Sequence, residues 1–525
     1  MMRTVNEAAA APTTPSVPGR RALSWSVLLS QRVALGVLGF GVLLRLVRYL
    51  SDRSLWLDES YLAINLMTRP YRALLQTLDY NQGAPIGFLW AERFALDVFG
   101  DSELSLRFFP LLVGLASLVL FYLVAREVLQ PLAFLIALVL FATMEPFVRS
   151  SAEVKQYGLD VAVTLGLLYV FPRVVETGNF SVRRALVLAV AGPLAVSLSH
   201  PSVFVLAGVA TAGLYVALRA RDFRALTRQA AAYGVWLLSF LVVYLVAVRD
   251  LRELQDTVRG VGSGTGGKVK NLYTIFNDPG EFPRTAVGLA ATVALVGIVF
   301  LWRRRPGVVV FFGATTCALL VAGSLGLYPI GQRFLVFFLP IVVLCLAEGI
   351  AGIVENAPRL LAAALLLGVA VLIVAPVVGT ATKRLVAPPN REEIEPLLQE
   401  LASSWRQGDV LYLDPGSQYA FRYYVECSDC GPVASRARVL WPSRPTSGGQ
   451  PQQTPAIVSE SPSLVVGTPA EGLREQLARH ARVWLLYTHV FPRTDEELLE
   501  EADRSGRRIG CTRGGASLLC LYDFS

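Results

Sequence analysis

GAPIGFLWAERFALDVF, residues 83–99, is the stretch on which the fold turns. It is apolar enough to suggest a transmembrane helix. It also carries Glu92, Arg93 and Asp97, and its uninterrupted apolar run is short. We therefore read it as a helix lying at the membrane interface. Counted as a span, it would invert every loop that follows. Left out, it leaves eleven apolar runs able to cross, near 24–50, 106–125, 130–148, 158–172, 184–199, 201–218, 229–247, 284–302, 307–327, 333–353 and 358–379. A membrane helix needs about 20 residues, so several of these extend into polar flanks.

The loop charges agree with eleven spans and a cytoplasmic N-terminus. Arg126, the stretch from Arg173 to Arg184, RARDFRALTR (219–228) and Arg303 to Arg305 then all face the cytoplasm, as the positive-inside rule requires. Residues 1–23 read as a disordered cytoplasmic tail ending at Arg20 and Arg21, with no apolar core that would make them a cleavable signal. Arg45 and Arg48 break the pattern, at the outer end of the first helix. They fit either snorkelling side chains or an anion site near the headgroups.

Composition points the same way. Of 525 residues, 54% are hydrophobic and 17% charged, against about 25% charged in soluble proteins. Mean hydropathy is +0.50. This composition indicates a polytopic membrane protein, and the expected location is the plasma (inner) membrane. The net charge of +8 sits in short clusters between apolar runs, which excludes a nucleic-acid groove.

Eleven spans put the C-terminus outside, and from about 385 the pattern changes. REEIEPLLQELASSW, EGLREQLARHA (471–481) and TDEELLEEADRSG (494–506) read as helices, and DVLYLD (409–414) and VWLLYTH (483–489) as strands. The organisation is an all-α membrane domain over 24–380, with a long first outer loop at 51–105, and a small extracytoplasmic α/β domain over 385–525. PSRPTSGGQPQQTP (442–455) is a low-complexity loop inside it. Cys317 and Cys345 lie in spans as packing residues. Cys427, Cys430, Cys511 and Cys520 lie outside, where a zinc site competes with disulfides. An oxidising exterior favours disulfides, and locality favours 427–430 and 511–520.

The outer face gathers Asp58, Glu59, Tyr61, Gln82 and Glu92 from the first loop and Arg107 from the next span. It adds Glu153, Lys155 and Tyr157 from SSAEVKQYGLD (150–160), His200 from a tight turn, and Gln332 and Arg333 from YPIGQR (328–333). Singly these are ordinary: an acidic pair caps a helix, an arginine anchors at an interface, a histidine fills a turn. Together they suit glycosyl transfer from a lipid-phosphate sugar. A carboxylate takes the acceptor's proton, cations hold the departing phosphate, and no general acid is needed. GVGSGTGG (260–267) loosely matches a phosphate loop but lacks the flanking strand and helix, so it reads as a flexible loop. There is no Asp-x-Asp, so neither a nucleotide sugar nor a divalent metal has support. The expected donor is lipid-linked, with no cofactor.

WLDES, NQGAPIGFLW, FGDSELSLRFFPLLVG, SSAEVKQYGLD and LSHPSVFVL, in this order, resemble successive motifs of GT-C-fold glycosyltransferases similar to protein O-mannosyltransferases and lipid A aminoarabinose transferases. The resemblance covers about residues 55–215 and weakens towards about 350. It implies a periplasm-facing cavity, a polyprenyl-phosphate-sugar donor and inversion at the anomeric carbon. It matches Asp58 to the catalytic acid and Arg107 to the arginine after Gly-Asp-Ser. Glu153, Lys155 and Tyr157 match Glu-x-Arg-x-Tyr, with lysine in place of the forked arginine. Ala84-Pro85 stands for the usual Pro-Pro.

The resulting expectation is transfer to an envelope acceptor hydroxyl on protein, lipid or glycan. Asp58 and Glu59 are the catalytic pair. Arg107, Lys155, Arg333 and His200 hold the donor phosphate, and Glu153, Tyr157, Gln82, Gln332 and Tyr61 bind substrate. Two other classes compete: a transporter or flippase of lipid-linked sugars, and a non-catalytic envelope assembly protein. A transporter carries ionisable groups deep in its spans or broken paired helices. The spans here are nearly free of charge, which favours the enzyme.

Overall fold

The computed structural model of the chain describes residues 20–175, 180–245, 284–387, 392–414, 416–427, 464–466, 482–488 and 494–524. The tail before residue 20, GVGSGTGG, the low-complexity loop at 442–455, the helix expected at 471–481 and Cys430 lie outside the described residues.

The membrane part is a helical bundle. Its order is α1 (Arg20–Leu50), α2 (Leu57–Thr68), α3 (Ile86–Phe99), α4 (Glu103–Val128), α5 (Pro131–Thr143), α6 (Glu145–Arg149), α7 (Tyr157–Val174), α8 (Val182–Leu198), α9 (Ser202–Ala220) and α10 (Phe223–Val243). It continues with α11 (Arg284–Arg304), α12 (Pro306–Ser324), α13 (Leu339–Asn356) and α14 (Arg359–Val386). Residues 20–23 are already helical, so α1 starts earlier than the sequence suggests. Nine described helices are long and apolar enough to cross a membrane, and ten when the bent pair Pro131–Thr143 and Glu145–Ala152 counts as one. The eleventh expected run is α8. Its 17 residues reach about 26 Å, a little less than a hydrocarbon core of about 30 Å.

Helix α3 is no span. Its 14 residues cover only about 21 Å. Phe88, Leu89, Glu92, Ala95 and Leu96 are buried, while Trp90, Phe94, Val98 and Phe99 are exposed. One side packs on the protein and the other presents large apolar side chains, the pattern of a helix at an apolar boundary.

The bend between α5 and α6 explains Arg45. Pro146 has no N–H to return to the carbonyl four residues back, at Ala142. Arg45, fully buried, donates to that carbonyl at 3.2 Å and to Gly41 O at 3.0 Å. It braces the bend, so neither snorkelling nor anion binding describes it.

The C-terminal part is a mixed sheet with helices α15 (Glu395–Ser404), α16 (Ser417–Glu426) and α17 (Thr494–Ser505). The strands are β1 (Val410–Leu413), β2 (Leu464–Val466), β3 (Arg482–Tyr487), β4 (Arg507–Gly514) and β5 (Ser517–Asp523), in the order β2-β1-β3-β5-β4. β1 pairs parallel with β2 and β3, and β5 pairs antiparallel with β3 and β4. Cys511 and Cys520 face each other in register and are joined as a disulfide.

This layer is fused to the bundle. One apolar core contains Leu55, Leu62, Leu89 and Leu106 from the bundle side together with Leu397, Phe421, Trp484 and Leu519 from the sheet side. Helix α16, which carries no element assignment in the sequence reading, packs directly on α2. Burial of these side chains, each contributing roughly 1.5–3 kcal/mol, fixes the layer over the start of α2.

Candidate active site

The site is built around the first turn of α2. Four backbone amides entering a helix need partners outside it. Two of them find side-chain partners here, one within the helix and one across the fold, and the amide just before the helix finds a third. Trp56 N donates to Glu59 Oε2 (3.3 Å), the glutamate half of a capping box. Leu57 N donates to Glu392 Oε2 at 3.0 Å, and Leu55 N to Tyr424 Oη at 3.1 Å. The C-terminal layer therefore caps the helix that carries Asp58.

Glu59 is the hub beneath it. Arg53 grips it with two bonds, at 2.8 and 3.0 Å, Val154 N donates at 2.9 Å, and Arg107 Nη2 lies at 3.5 Å. Burial alone would raise this carboxyl, but Arg53, Arg107 and the Val154 amide outweigh it and hold it down at about 2. With no exposure and both oxygens occupied, Glu59 is a positioning residue. Its expected catalytic role is corrected. Arg107 is corrected with it. It is buried and donates to Arg53 O at 2.6 Å and Ser54 O at 3.4 Å, so it braces the 53–54 backbone rather than reaching a phosphate.

The same hub fixes the 150–156 loop. Arg53 Nη2 donates to Ala152 O at 3.0 Å. The loop tucks tightly against α4 at Gly114, where a Cβ would run into the Ser151 side chain. Glu153 is buried and faces Arg149 at 3.9 Å.

Above the hub lies the open layer. Asp58 and Arg333 form an ion pair with side-chain exposures of 24% and 27%, so both remain reachable. The Arg333 guanidinium lies over the Trp56 ring at 4.8 Å and near Tyr157 at 5.9 Å, contacts that hold its plane. Lys155 donates to Gln82 Oε1 at 2.6 Å. Burial pushes its amine down to about 8, with the Asp58 carboxylate pulling the other way.

The structure thus brings Asp58, Arg333, Lys155, Gln82 and Tyr157 together. Tyr61 follows Asp58 along α2 and packs on Tyr80 and Tyr419. His200 is half-buried in the turn between α8 and α9. No hydrogen bond or ion pair joins it to the cluster among the described residues. The side chain of Gln332 lies outside the described residues. Sequence reasoning missed Arg53, Trp56, Tyr419 and Arg422. Arg53 sits five residues before Asp58 in the same charged run, a signal available in the sequence. Tyr419 and Arg422 had none, because only the tertiary fold brings α16 to α2.

Half-exposed acid beside two cations, at the mouth of a helical bundle, can accept a proton and hold an anion at once. The chain matches the family model described as dolichyl-phosphate-mannose-protein mannosyltransferase over residues 83–249. No curated protein matches it in sequence. Among solved structures it is similar to ArnT from Cupriavidus metallidurans bound to undecaprenyl phosphate, with TM-score 0.51 and 14% identity over 95% of this chain and 98% of that one. The apo form of that protein matches with TM-score 0.50 over the same shares, also at 14% identity. Archaeal oligosaccharyltransferase AglB from Archaeoglobus fulgidus matches at TM-score 0.47 and 14% identity, over 94% of this chain and 74% of that one. The ArnT likeness shows a shared GT-C fold across nearly the whole chain.

Proposed function

We propose that this chain, which is a membrane glycosyltransferase of the GT-C type, moves a sugar from a polyprenyl-phosphate donor to an acceptor hydroxyl on the outer face of the membrane. The acceptor oxygen attacks the anomeric carbon from the side opposite the phosphate. Its proton passes to the Asp58 carboxylate, the bond from the anomeric carbon to the phosphate oxygen breaks, and polyprenyl phosphate leaves. The anomeric configuration inverts. Arg333 and Lys155 hold the phosphate as charge builds on it. These two cations supply the charge, so the proposed reaction uses no metal and no cofactor beyond the lipid-linked donor.

The Asp58–Arg333 pair carries this reading. Without donor, the arginine neutralises the acid. A donor phosphate competes for the guanidinium and frees the carboxylate to act as base. Glu59, Arg53 and Arg107 keep the backbone of this turn fixed while the exchange occurs. The ligand of one similar structure, undecaprenyl phosphate, is consistent with a polyprenyl lipid here.

The outer-face placement rests on the basic loops. A reporter that is active only in the cytoplasm, fused after Ser525, is expected to stay silent. Signal from it would turn the site towards the cytoplasm. The reaction itself is tested by reconstituting the chain in lipid with a panel of polyprenyl-phosphate monosaccharides. Release of polyprenyl phosphate together with a product of inverted configuration supports the proposal. Retained configuration, or transfer only from a nucleotide sugar, defeats it.

A further inference from the structure

One turn beyond Asp58, on the same face of α2, Tyr61 enters an aromatic cluster that the reaction above leaves unused. Its ring stacks on Tyr80 with centroids 5.5 Å apart and meets Tyr419 edge-on at 4.6 Å. Tyr80 and Tyr419 close the triangle at 4.8 Å. Three segments meet here: α2, the turn at Asp79–Asn81, and α16 of the C-terminal layer. Arg422 of α16 donates to Tyr80 Oη at 2.6 Å and is itself held by Glu426 at 2.8 Å.

Packing alone accounts for three touching rings. It does not account for the backbone beneath one of them. Tyr80 has φ 63° and ψ 33°, and Asn81 follows at φ 52°. A bulky side chain in the left-handed region is a real outlier and costs free energy. Glycine would remove that cost, yet the position keeps an aromatic ring and aims it at the other two. The cluster is also open. All three tyrosines are only half-buried, and the hydroxyls of Tyr61 and Tyr419 have no hydrogen-bond partner among the described residues. Gln82 ties the cluster to the phosphate side: it donates to Tyr80 O at 3.0 Å and accepts from Lys155 at 2.6 Å.

We infer that Tyr61, Tyr80 and Tyr419, with Arg422, form a subsite for a pyranose ring beside Asp58, completed by the C-terminal layer. Aromatic faces cover the C–H side of a sugar ring, and tyrosine hydroxyls and a guanidinium bond its hydroxyls. The inference rests on the proposed reaction, since Asp58 marks where the sugar changes hands. The ring comes either from the donor or from an acceptor glycan.

The test uses the full chain in lipid nanodiscs. Binding is measured for bare polyprenyl phosphate, for polyprenyl-phosphate monosaccharides and for soluble oligosaccharides, and KM is measured for donor and acceptor separately. Tyr419→Ala is expected to weaken the sugar-bearing ligand by roughly five- to tenfold while leaving bare polyprenyl phosphate unchanged. Loss confined to the donor assigns the donor's sugar, and loss confined to the oligosaccharide assigns an acceptor glycan. Tyr80→Gly should weaken the same ligand while Tm holds or rises, because the strain is gone. The inference is overturned if both variants bind every probe as wild type does. It is equally overturned if they only lower Tm, which would leave the rings as a fastening between layers. Failure of the proposed reaction looks different: wild type releases no polyprenyl phosphate, while these binding comparisons still read the subsite.

Discussion

Arg333 is ion-paired to Asp58 across 275 residues of sequence, and the pair is the reachable layer of a site whose other charges are buried. The acid is thus stored as a pair until an anion competes for the arginine. Asp58→Asn keeps the shape but cannot take the acceptor's proton. Turnover should fall by about 10²–10⁴. Donor binding should persist or tighten, because Arg333 loses a competing carboxylate. Separate measurement of donor affinity and turnover in nanodiscs checks both halves. Full turnover in this variant would remove Asp58 as base.

Glu59 behaves differently because it is buried and saturated. Replacing one partner of a buried charge pair typically costs about 3–5 kcal/mol, so Glu59→Gln should lower Tm markedly. The pH dependence has a definite sign. The folded carboxyl is held at about 2, below its usual range near 4.3. Its stabilisation is fully present above the unfolded value and is lost as pH falls through the folded one. Wild-type Tm should therefore decline from about pH 4.5 towards about pH 2, and the Glu59→Gln variant should decline less steeply there. Parallel slopes would show that the hub does not depend on this ionised carboxyl.

The two neighbours Asp58 and Glu59 show how far the sequence reaches. The apolar runs, the short charged helix at 83–99 and the return to alternating helix and strand after 385 are all periodicity and composition, which are local. So are the motifs that place Asp58, Lys155 and Tyr157. Which neighbour is open is not local. It depends on Arg53, Arg107 and the Val154 amide converging on one carboxylate from three segments. The depth of Arg107 is hidden for the same reason: type and topology put it at the right end, but its guanidinium lies buried beneath the open layer. Arg45 was ambiguous in sequence because its partner is a carbonyl orphaned by Pro146 a hundred residues away.

Lys155 sets a second pH limit. An amine pushed down to about 8 is charged below that pH and neutral above it. Donor kcat/KM, which reports the free enzyme, should fall as pH rises through about 8. Lys155→Arg places a permanently charged fork there, so its profile should stay flat to higher pH if the loop admits the larger group. An unchanged break near 8 in that variant would assign the limit to another residue.

Arg107 and Arg333 provide the sharpest contrast, because both are arginines at one end of the bundle with opposite burial. Arg333 is partly exposed and contacts Asp58, Trp56 and Tyr157 through its head. A charged hydrogen bond contributes about 1.5–3 kcal/mol, so Arg333→Ala should weaken donor binding by roughly ten- to hundredfold with little change in Tm. Arg107 is 1% exposed and bonds the Arg53 and Ser54 carbonyls and Glu59. Arg107→Ala leaves those acceptors unpaired in the interior. It should lower Tm first, and its effect on the donor should follow from loss of the folded turn. Bare polyprenyl phosphate titrated into both variants at a temperature where each is folded separates the cases. Weakening in Arg333→Ala alone is the expected result. Weakening in a fully stable Arg107→Ala protein would mean that this arginine reaches the lipid phosphate after all, through a rearrangement of the 53–54 backbone.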